Sequence, residues 1–167
     1  MKVLAFDIGI KNLAWCFLET SAEGQPAAVR GWANENLISG DTVEIDLDLG
    51  FNIILANQKV RMAGIDTPES RTSIAEEKER GLLSKKKLAE KLPVGSWQRI
   101  QTMKADSNDD KFGRILGVFV MEDGMSLNQW MIDNNYAVLY QGENKELVQE
   151  GHRYNKQKLI ERGELKA

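Results

Sequence analysis

Two residue types that build cross-links and metal–sulfur sites are nearly missing from the sequence. It contains one cysteine, Cys16, and one histidine, His152. A single cysteine cannot form a disulfide within the chain, and one Cys with one His cannot complete a closed zinc site of the Cys/His type. This composition fits a reducing compartment, and we expect a cytoplasmic protein. The oligomeric state is open, with a monomer favoured.

A long apolar run is also missing. At the N-terminus, Asp7 interrupts an apolar stretch that is far too short to export or anchor the chain. We therefore expect neither a secretory signal nor contact with a membrane.

Positive charge is not in excess. The 22 Lys and Arg residues stand against 25 Asp and Glu residues, which gives a formal net charge of −3. Because nucleic-acid binders are more often basic, tight nonspecific binding to nucleic acid is not expected. Catalysis on a phosphate is not excluded, since a metal ion and nearby arginines can neutralise charge locally.

The apolar pattern predicts a chain of short strands with few helices, which fits a single domain or one domain with an appendage. Residues 41–47 alternate strictly, with Val43, Ile45 and Leu47 on one side. Further strands are predicted over residues 3–6, 13–18, 27–32, 51–55, 59–65, 97–103, 112–121 and 136–140. Helices are predicted over residues 73–92, 127–133 and 144–162. Strands that do not alternate with helices favour an α+β fold, a small OB-type barrel flanked by helices.

Local signals refine several of these elements. Ser73 and Glu76 match a capping box at the first long helix, and Ser126 can cap the short helix. The dipeptide 57–58 is expected to join two separate strands. His152 is expected to be an exposed residue of the last helix, with no general-base role.

Two aspartates extend rows of apolar residues that should face the core. Asp41 shares the parity of the alternating strand, and Asp66 shares that of Val60 and Met62. A buried carboxylate is costly unless it is paired or bound to a metal. If both rows end at the barrel mouth, the pair makes a hard oxygen site suited to Ca²⁺. Alternatively, both residues are ordinary turn or cap residues, as Asp often is beside Gly or Pro.

The stretch from Arg61 to Glu69 carries a guanidinium and two carboxylates at close spacing. Pro68 stiffens the turn between Asp66 and Glu69. Phosphodiester hydrolysis needs such a set: a metal, a base for water, and cations on the phosphoryl oxygens. Arg114, at a tight turn, offers a second cation, although it could equally be a solvated residue that opens a strand.

Three blocks in this order resemble the signature blocks of the staphylococcal (micrococcal, thermonuclease) nuclease family. They are residues 39–42 (SGDT), 60–69 (VRMAGIDTPE) and 110–114 (DKFGR). The resemblance continues through residues 126–129 and 136–140 and covers about residues 37–163. Each block alone is weak, but three in register are specific.

The resemblance implies roles for several residues. Three oxygen ligands would bind Ca²⁺: Asp41, Asp66 and the carbonyl of Thr67. Glu69 would activate or orient the attacking water, while Arg61 and Arg114 would hold the phosphate and stabilise the transition state. Together these roles imply a calcium-dependent nuclease, a hydrolase that cleaves the phosphodiester bonds of DNA, with RNA as a further substrate left open.

The resemblance also implies substrate contacts and includes two departures. Lys111 matches a position that contacts a nucleotide phosphate, and Phe112 and Tyr140 could stack on bases. Phe112 stands where a tyrosine is usual, so a hydroxyl contact would be lost. Ser39 stands where family members often carry a second acidic residue near the metal, so metal affinity could differ.

The N-terminal segment resembles a different family. Residues 6–16 (FDIGIKNLAWC) are similar to the opening strands of RNase H-like Holliday-junction resolvases, where the aspartate binds Mg²⁺. That site needs further carboxylates from a longer domain, and residues 1–36 have room for about three strands. We therefore divide the chain into a strand segment, 1–36, and an OB-fold domain, 37–167. The segment is either a barrel extension or a resolvase-like fragment.

Two other functions stay open beside the nuclease. The chain could be a catalytically weak OB module that binds nucleic acid, or a resolvase-like protein that uses Asp7. An intact set of base, cations and metal ligands favours the nuclease, because a binding module does not need a carboxylate base.

Overall fold

Nine strands and three helices make up the described part of the computed structural model, which covers residues 2–9, 12–19, 29–50, 52–103, 113–142 and 144–166. The strands are β1 (Lys2–Gly9), β2 (Asn12–Glu19), β3 (Val29–Leu37), β4 (Thr42–Asp48), β5 (Ile54–Met62), β6 (Ile65–Asp66), β7 (Trp97–Met103), β8 (Ile115–Val120) and β9 (Val138–Leu139). The helices are α1 (Ala75–Lys91), α2 (Leu127–Asp133) and α3 (Lys145–Glu161).

Five of these strands close into a barrel. The strand order is β3-β4-β5-β8-β7, and β7 pairs back with β3. All neighbours are antiparallel except β5 and β8, which run parallel. This confirms the predicted α+β fold with a small OB-type barrel and flanking helices. Outside the barrel, β1 pairs with β2 and β6 pairs with β9.

The alternation of β4 builds the barrel core as predicted. Val43 and Ile45 are completely buried and Leu47 is 2% exposed, while the residues between them are half-buried. The fully buried Ile100 of β7 and Phe119 of β8 belong to the same core cluster. A strand with one apolar face therefore covers the inside of a closed sheet, and its parity fixes which way Asp41 must point.

Strand β3 is longer than the sequence predicted, and the predicted boundary between residues 36 and 37 falls inside it. Residues 33–37 show no apolar alternation, but Ala33 pairs with Ile45 and Leu37 with Val43, on either side of a register shift. Backbone pairing with β4 therefore extends the strand through residues whose side-chain pattern does not indicate a strand. Whether residues 1–36 form a separate unit stays a prediction.

The expected break at residues 57–58 is wrong, because β5 is one strand. Asn57 adopts a positive φ of 56° and donates its backbone N–H to Asp46 Oδ1 at 2.8 Å. The pairing with β4 shifts register between Ile45 and Leu47. A left-handed asparagine at a bulge thus lets the strand continue where an Asn-Gln dipeptide suggested a turn.

The capping box predicted for α1 is also wrong. Ile74 occupies the N-cap position without a side-chain cap bond, and its N–H donates to Thr72 Oγ1 at 3.2 Å instead. The spacing of Leu82, Leu88 and Leu92 in the sequence predicts an apolar stripe along α1, and this prediction is only partly right, since Leu88 and Leu92 are buried but Leu82 is 49% exposed.

Two small residues, Gly81 and Ser84, share the buried face of α1 with Leu88. The other two helices match their predictions closely. Ser126 Oγ caps α2 by accepting the Gln129 N–H, and Asn144 caps α3. Within the described ranges, no helix is both long and apolar enough to cross a membrane.

Candidate active site

One cavity, with a volume of about 510 Å³, brings most of the predicted site residues together. It opens where β4 begins and β5 ends, and six predicted residues line it: Asp41, Arg61, Asp66, Thr67, Glu69 and Arg114. These residues come from the start of β4, the end of β5, β6 with the loop that follows, and the residue before β8. Their convergence follows from strand pairing, because Thr42 lies opposite Arg61 and Val60 lies opposite Ile115.

Asp41 is a buried carboxylate with three hydrogen-bond partners. It is 6% exposed, and its Oδ1 accepts hydrogen bonds from Ser39 Oγ at 2.7 Å and Thr42 Oγ1 at 3.0 Å. Its Oδ2 accepts from Arg61 Nη1 at 2.5 Å. These bonds offset the cost of burying the charge. Ser39, where an acidic residue is usual, thus serves as a hydrogen-bond donor to the aspartate.

Gly40 allows the loop before β4 to approach the loop after β6. A Cβ on Gly40 would lie 2.8 Å from Thr67 Oγ1, closer than real side chains allow. Thr67 itself is 9% exposed. The missing side chain therefore lets Asp41 and Thr67 line the same cavity.

Arg61 lies between the two aspartates. Its Nη2 donates to the Ile65 carbonyl at 3.2 Å and lies 3.8 Å from Asp66 Oδ1, while Nη1 binds Asp41. The Arg61 side chain is only 17% exposed. The guanidinium is therefore held in one place in the cavity wall by three oxygen-bearing groups.

Asp66 has an unexpected partner. Its Oδ2 lies 2.9 Å from Nε2 of His152 in α3, and His152 is only 3% exposed. The prediction that His152 is an exposed helix residue is wrong. A usable signal was present, because His152 shares the buried face of α3 with Val148, Asn155 and Leu159. Their spacing of four, three and four residues is that of a helix face turned to the core.

Glu69 is the exposed carboxylate of the cavity. Its Oε1 accepts the backbone N–H of Arg71 at 2.9 Å, which orients the side chain locally. The loop that carries it rests on α1, where a Cβ on Gly81 would lie 2.6 Å from the Pro68 carbonyl oxygen. Close packing against a helix therefore sets the position of the Glu69 backbone.

Arg114 lines the same cavity and is half-buried, directly after Gly113, which has a φ of 66°. Tyr140 does not line this cavity. It is 38% exposed and lines a neighbouring cavity of about 480 Å³, together with Met103 and Leu116. Arg61 lines both cavities. The predicted contacts of Lys111 and Phe112 lie outside the described residues.

The donors in the first cavity suit a hard cation. Asp41, Asp66 and Thr67 offer oxygen ligands only, the kind that Ca²⁺ and Mg²⁺ prefer. Each carboxylate oxygen can accept more than one partner, so the bonds from Ser39 and His152 do not use up the set. No group of three or more His, Cys, Asp or Glu side chains in the described ranges is arranged as a metal site. Because Ca²⁺ takes about six to eight oxygen ligands, a cation held by these residues would also take carbonyl or water oxygens.

A comparison with protein-family models agrees with the resemblance seen in the sequence. Residues 59–161 match the family described as "Staphylococcal nuclease homologue", which is more than half of the chain. The match includes Arg61, Asp66, Glu69 and Arg114, and it begins after Asp41. No curated protein matches the chain. The resemblance of residues 6–16 to resolvases stays a prediction.

Proposed function

Since the chain belongs to the family of staphylococcal nuclease homologues, a nuclease-like or nucleic-acid-binding function follows, and we propose that the chain is a calcium-dependent nuclease. It would hydrolyse the phosphodiester bonds of DNA or RNA. The observation that carries the proposal is the shared cavity of about 510 Å³, which is lined by the exposed carboxylate of Glu69, by Asp41 and Asp66, and by both predicted arginines, Arg61 and Arg114. A binding module needs cations, but it does not need a carboxylate base beside a pair of metal ligands.

Asp41, Asp66 and the Thr67 carbonyl would hold Ca²⁺. When bound, the ion supplies positive charge to a phosphoryl oxygen and lowers the barrier to attack. The buried position of Asp41 and its three hydrogen bonds keep its carboxylate oriented for this task. Preorganised ligands reduce the reorganisation needed at the moment of reaction.

Glu69 would act as the general base. Its exposed carboxylate can accept a proton from a water molecule while the water oxygen forms a bond to phosphorus and the ester P–O bond breaks. The leaving ester oxygen then takes a proton from solvent and departs as a hydroxyl group. Arg61 and Arg114 would donate to the phosphoryl oxygens, where negative charge develops. Because Arg61 is already fixed by Asp41 and the Ile65 carbonyl, its orientation costs little when substrate arrives.

The second cavity supports a role for Tyr140 in holding a base. Tyr140 is partly exposed beside Met103 and Leu116, and the cavity shares Arg61 with the first one. An aromatic ring beside a phosphate-binding arginine can stack a base of any sequence. The same feature favours the second candidate, an OB module that binds single strands without cleaving them.

Cleavage of single-stranded DNA with and without Ca²⁺ tests the proposal. We expect cleavage with Ca²⁺ and its abolition by excess chelator, because the oxygen ligands without their cation leave the phosphate unneutralised. Undiminished cleavage in excess chelator would contradict the calcium mechanism. DNA binding without cleavage at any Ca²⁺ concentration would favour the binding module.

A further inference from the structure

His152 is too deeply buried to be an ordinary surface residue. Its side chain is 4% exposed, whereas that of Asp66, its partner, is 32% exposed. The two residues are 86 positions apart in the sequence and meet at 2.9 Å. The buried imidazole of His152 therefore contacts a partly exposed carboxylate that lines the candidate active site.

The packing of α3 sets this contact. Gly151 precedes His152, and a Cβ on Gly151 would lie 2.9 Å from Val138 Cγ1, so α3 lies directly on β9. Val138 is in turn the register partner of Asp66 in β6. Arg80 of α1 donates to the His152 carbonyl at 2.9 Å, which links α3 to α1 at this residue. These contacts bring the imidazole to Asp66 without a flexible linker.

The ring nitrogens show which way the hydrogen bond runs. Among the described residues, Nδ1 of His152 is buried and has no hydrogen-bond partner. A buried N–H without an acceptor is costlier than a buried lone pair, so the proton belongs on Nε2. The Nε2–H therefore donates to Asp66 Oδ2, and the carboxylate accepts.

We propose that His152 is a positioning residue that orients the Asp66 carboxylate for Ca²⁺. With Oδ2 held by the imidazole, rotation of the carboxylate is restricted and Oδ1 stays on the side of Arg61, 3.8 Å from its Nη2. Carboxylate ligands held by a second hydrogen-bonded residue bind metals more tightly, since the orientation is settled before the ion arrives. This inference rests on the proposed function, because it takes Asp66 as a Ca²⁺ ligand.

Calorimetric titration of the full chain with Ca²⁺ tests the proposal without relying on activity. His152→Met replaces the imidazole with an apolar side chain of similar length and removes the Nε2–H donor. The Ca²⁺ affinity of this variant should fall by about 10- to 100-fold. His152→Gln restores an N–H donor and should recover most of the affinity. Val148→Ala serves as the matched control, because it loosens the same buried face of α3 without touching Asp66.

A second measurement uses the unchanged protein and holds even if a variant fails to fold. The chain has a single histidine, so the imidazole nitrogen signals in a ¹⁵N NMR spectrum belong to His152. They should show a proton on Nε2, shift when Ca²⁺ is added, and return with chelator.

The outcomes separate this inference from the proposed function. If Ca²⁺ binds but the imidazole signals do not move, or if His152→Met binds as tightly as the unchanged chain, His152 has no positioning role and the nuclease proposal stands. If the unchanged chain binds no Ca²⁺, the metal proposal and this inference both fail.

Discussion

Among the three carboxylates that line the cavity, Glu69 differs in what holds it. Asp41 and Asp66 are bound by side chains, whereas Glu69 is exposed and accepts a backbone N–H from Arg71. An exposed carboxylate oriented by the backbone can reach a water molecule and exchange its proton with solvent. This difference separates the residue suited to proton transfer from the two suited to binding a cation.

Glu69→Gln should therefore reduce the cleavage rate and leave the fold unchanged. The amide keeps the size and polarity of the side chain but does not accept a proton, and losing a general base costs about 10²- to 10⁴-fold in rate. Glu79→Gln, at an exposed position of α1, is the control and should cleave normally. Near-normal turnover of folded Glu69→Gln would show that Glu69 is not the base.

Residue-level prediction succeeded where parity or a local motif carried the information. The alternation of β4 was enough to predict that Asp41 points inward. The spacing from Arg61 to Glu69 was enough to predict that those residues lie close together. His152 was missed because a lone histidine in a polar helix has no local motif, and its partner is 86 residues away. Only the apolar spacing of α3 indicated its burial.

At the scale of elements, helix α1 supports the loop that carries Glu69. Gly81 lies so close to residues 68–70 that a Cβ would meet the Pro68 carbonyl oxygen at 2.6 Å and Ser70 N at 2.7 Å. Both are backbone atoms, which cannot turn aside as a side chain can. The helix therefore tolerates a glycine in its interior because the loop needs the space.

Gly81→Ala should lower activity even though alanine is the better helix former. The intrinsic gain in the helix is about 1 kcal/mol, but the new methyl group must displace the loop. A displacement of about 1 Å at a catalytic group can cost about 10²-fold in rate. Ala89→Gly, on the exposed side of α1, should do the opposite: it lowers the melting temperature and leaves the rate unchanged. Full activity of Gly81→Ala would mean that the loop adapts.

The carboxylate of Glu164, which follows α3, binds Lys87 of α1 and so links the two helices. Glu164 Oε2 accepts from the Tyr136 hydroxyl at 2.7 Å and lies 3.3 Å from Lys87 Nζ, while Oε1 lies 3.0 Å from Arg162 Nε. Burial alone would raise the pKa of Glu164. The hydrogen bonds from Tyr136 and Lys87, together with the charge of Arg162, outweigh burial and lower its pKa below the ordinary value of 4.5.

A lowered pKa makes this contact sensitive to acid. The contribution of Glu164 to stability is fully present above pH 4.5 and is lost as pH falls through the lower pKa of the folded state. Glu164→Gln should therefore be less stable at pH 7, and its free energy of unfolding should decline less steeply below pH 4.5. Chemical denaturation across this pH range measures both effects, with the exposed Glu150→Gln as control. If the free energies of unfolding of Glu164→Gln and of the unchanged chain decline in parallel below pH 4.5, Glu164 does not have this role.

Elements were predictable where side-chain pattern and backbone agreed. The positions of β4, α2 and α3 follow from apolar spacing and caps, and the structure confirms them. Prediction failed at Asn57 and at Ser73, where turn and capping residues occur without the turn or the cap. At Asn57 a tertiary contact, the bulge opposite β4, overrides the local signal. At Ser73 a different local contact, the bond from the Ile74 N–H to Thr72 Oγ1, forms instead of the expected cap.

At the scale of the whole molecule, the net charge of −3 limits how the chain can hold nucleic acid. The cations of the site are local, with Arg61 and Arg114 beside the aspartates in one cavity. Recognition should therefore depend on access to a single phosphate rather than on a broad basic surface. The fold class followed from the sequence, but the closure of the barrel by residues 29–37 did not, since the second half of that strand, residues 33–37, shows no apolar alternation.

Asp7→Asn separates the two nuclease hypotheses for the whole chain. Asp7 lies in β1, opposite Ala14 of β2, outside the strands of the barrel. If the barrel cavity is the active site, the variant should cleave at the rate of the unchanged chain, with Ca²⁺ as the effective ion. Assays with Ca²⁺ and Mg²⁺ in parallel decide the question. Loss of cleavage in folded Asp7→Asn, or a preference for Mg²⁺, would support a resolvase-like site instead.

The closed ring of five strands has a consequence for any shortened form of the chain. Strand β3 occupies the gap between β4 and β7, and the family match begins only at residue 59, within β5. Loss of residues up to Leu37 would leave two strand edges with unpaired N–H and C=O groups facing solvent. Such edges recruit strands from neighbouring molecules. A proteolytic fragment that keeps residues 59–161 of the family match but lacks β3 would therefore polymerise rather than persist as a smaller folded protein.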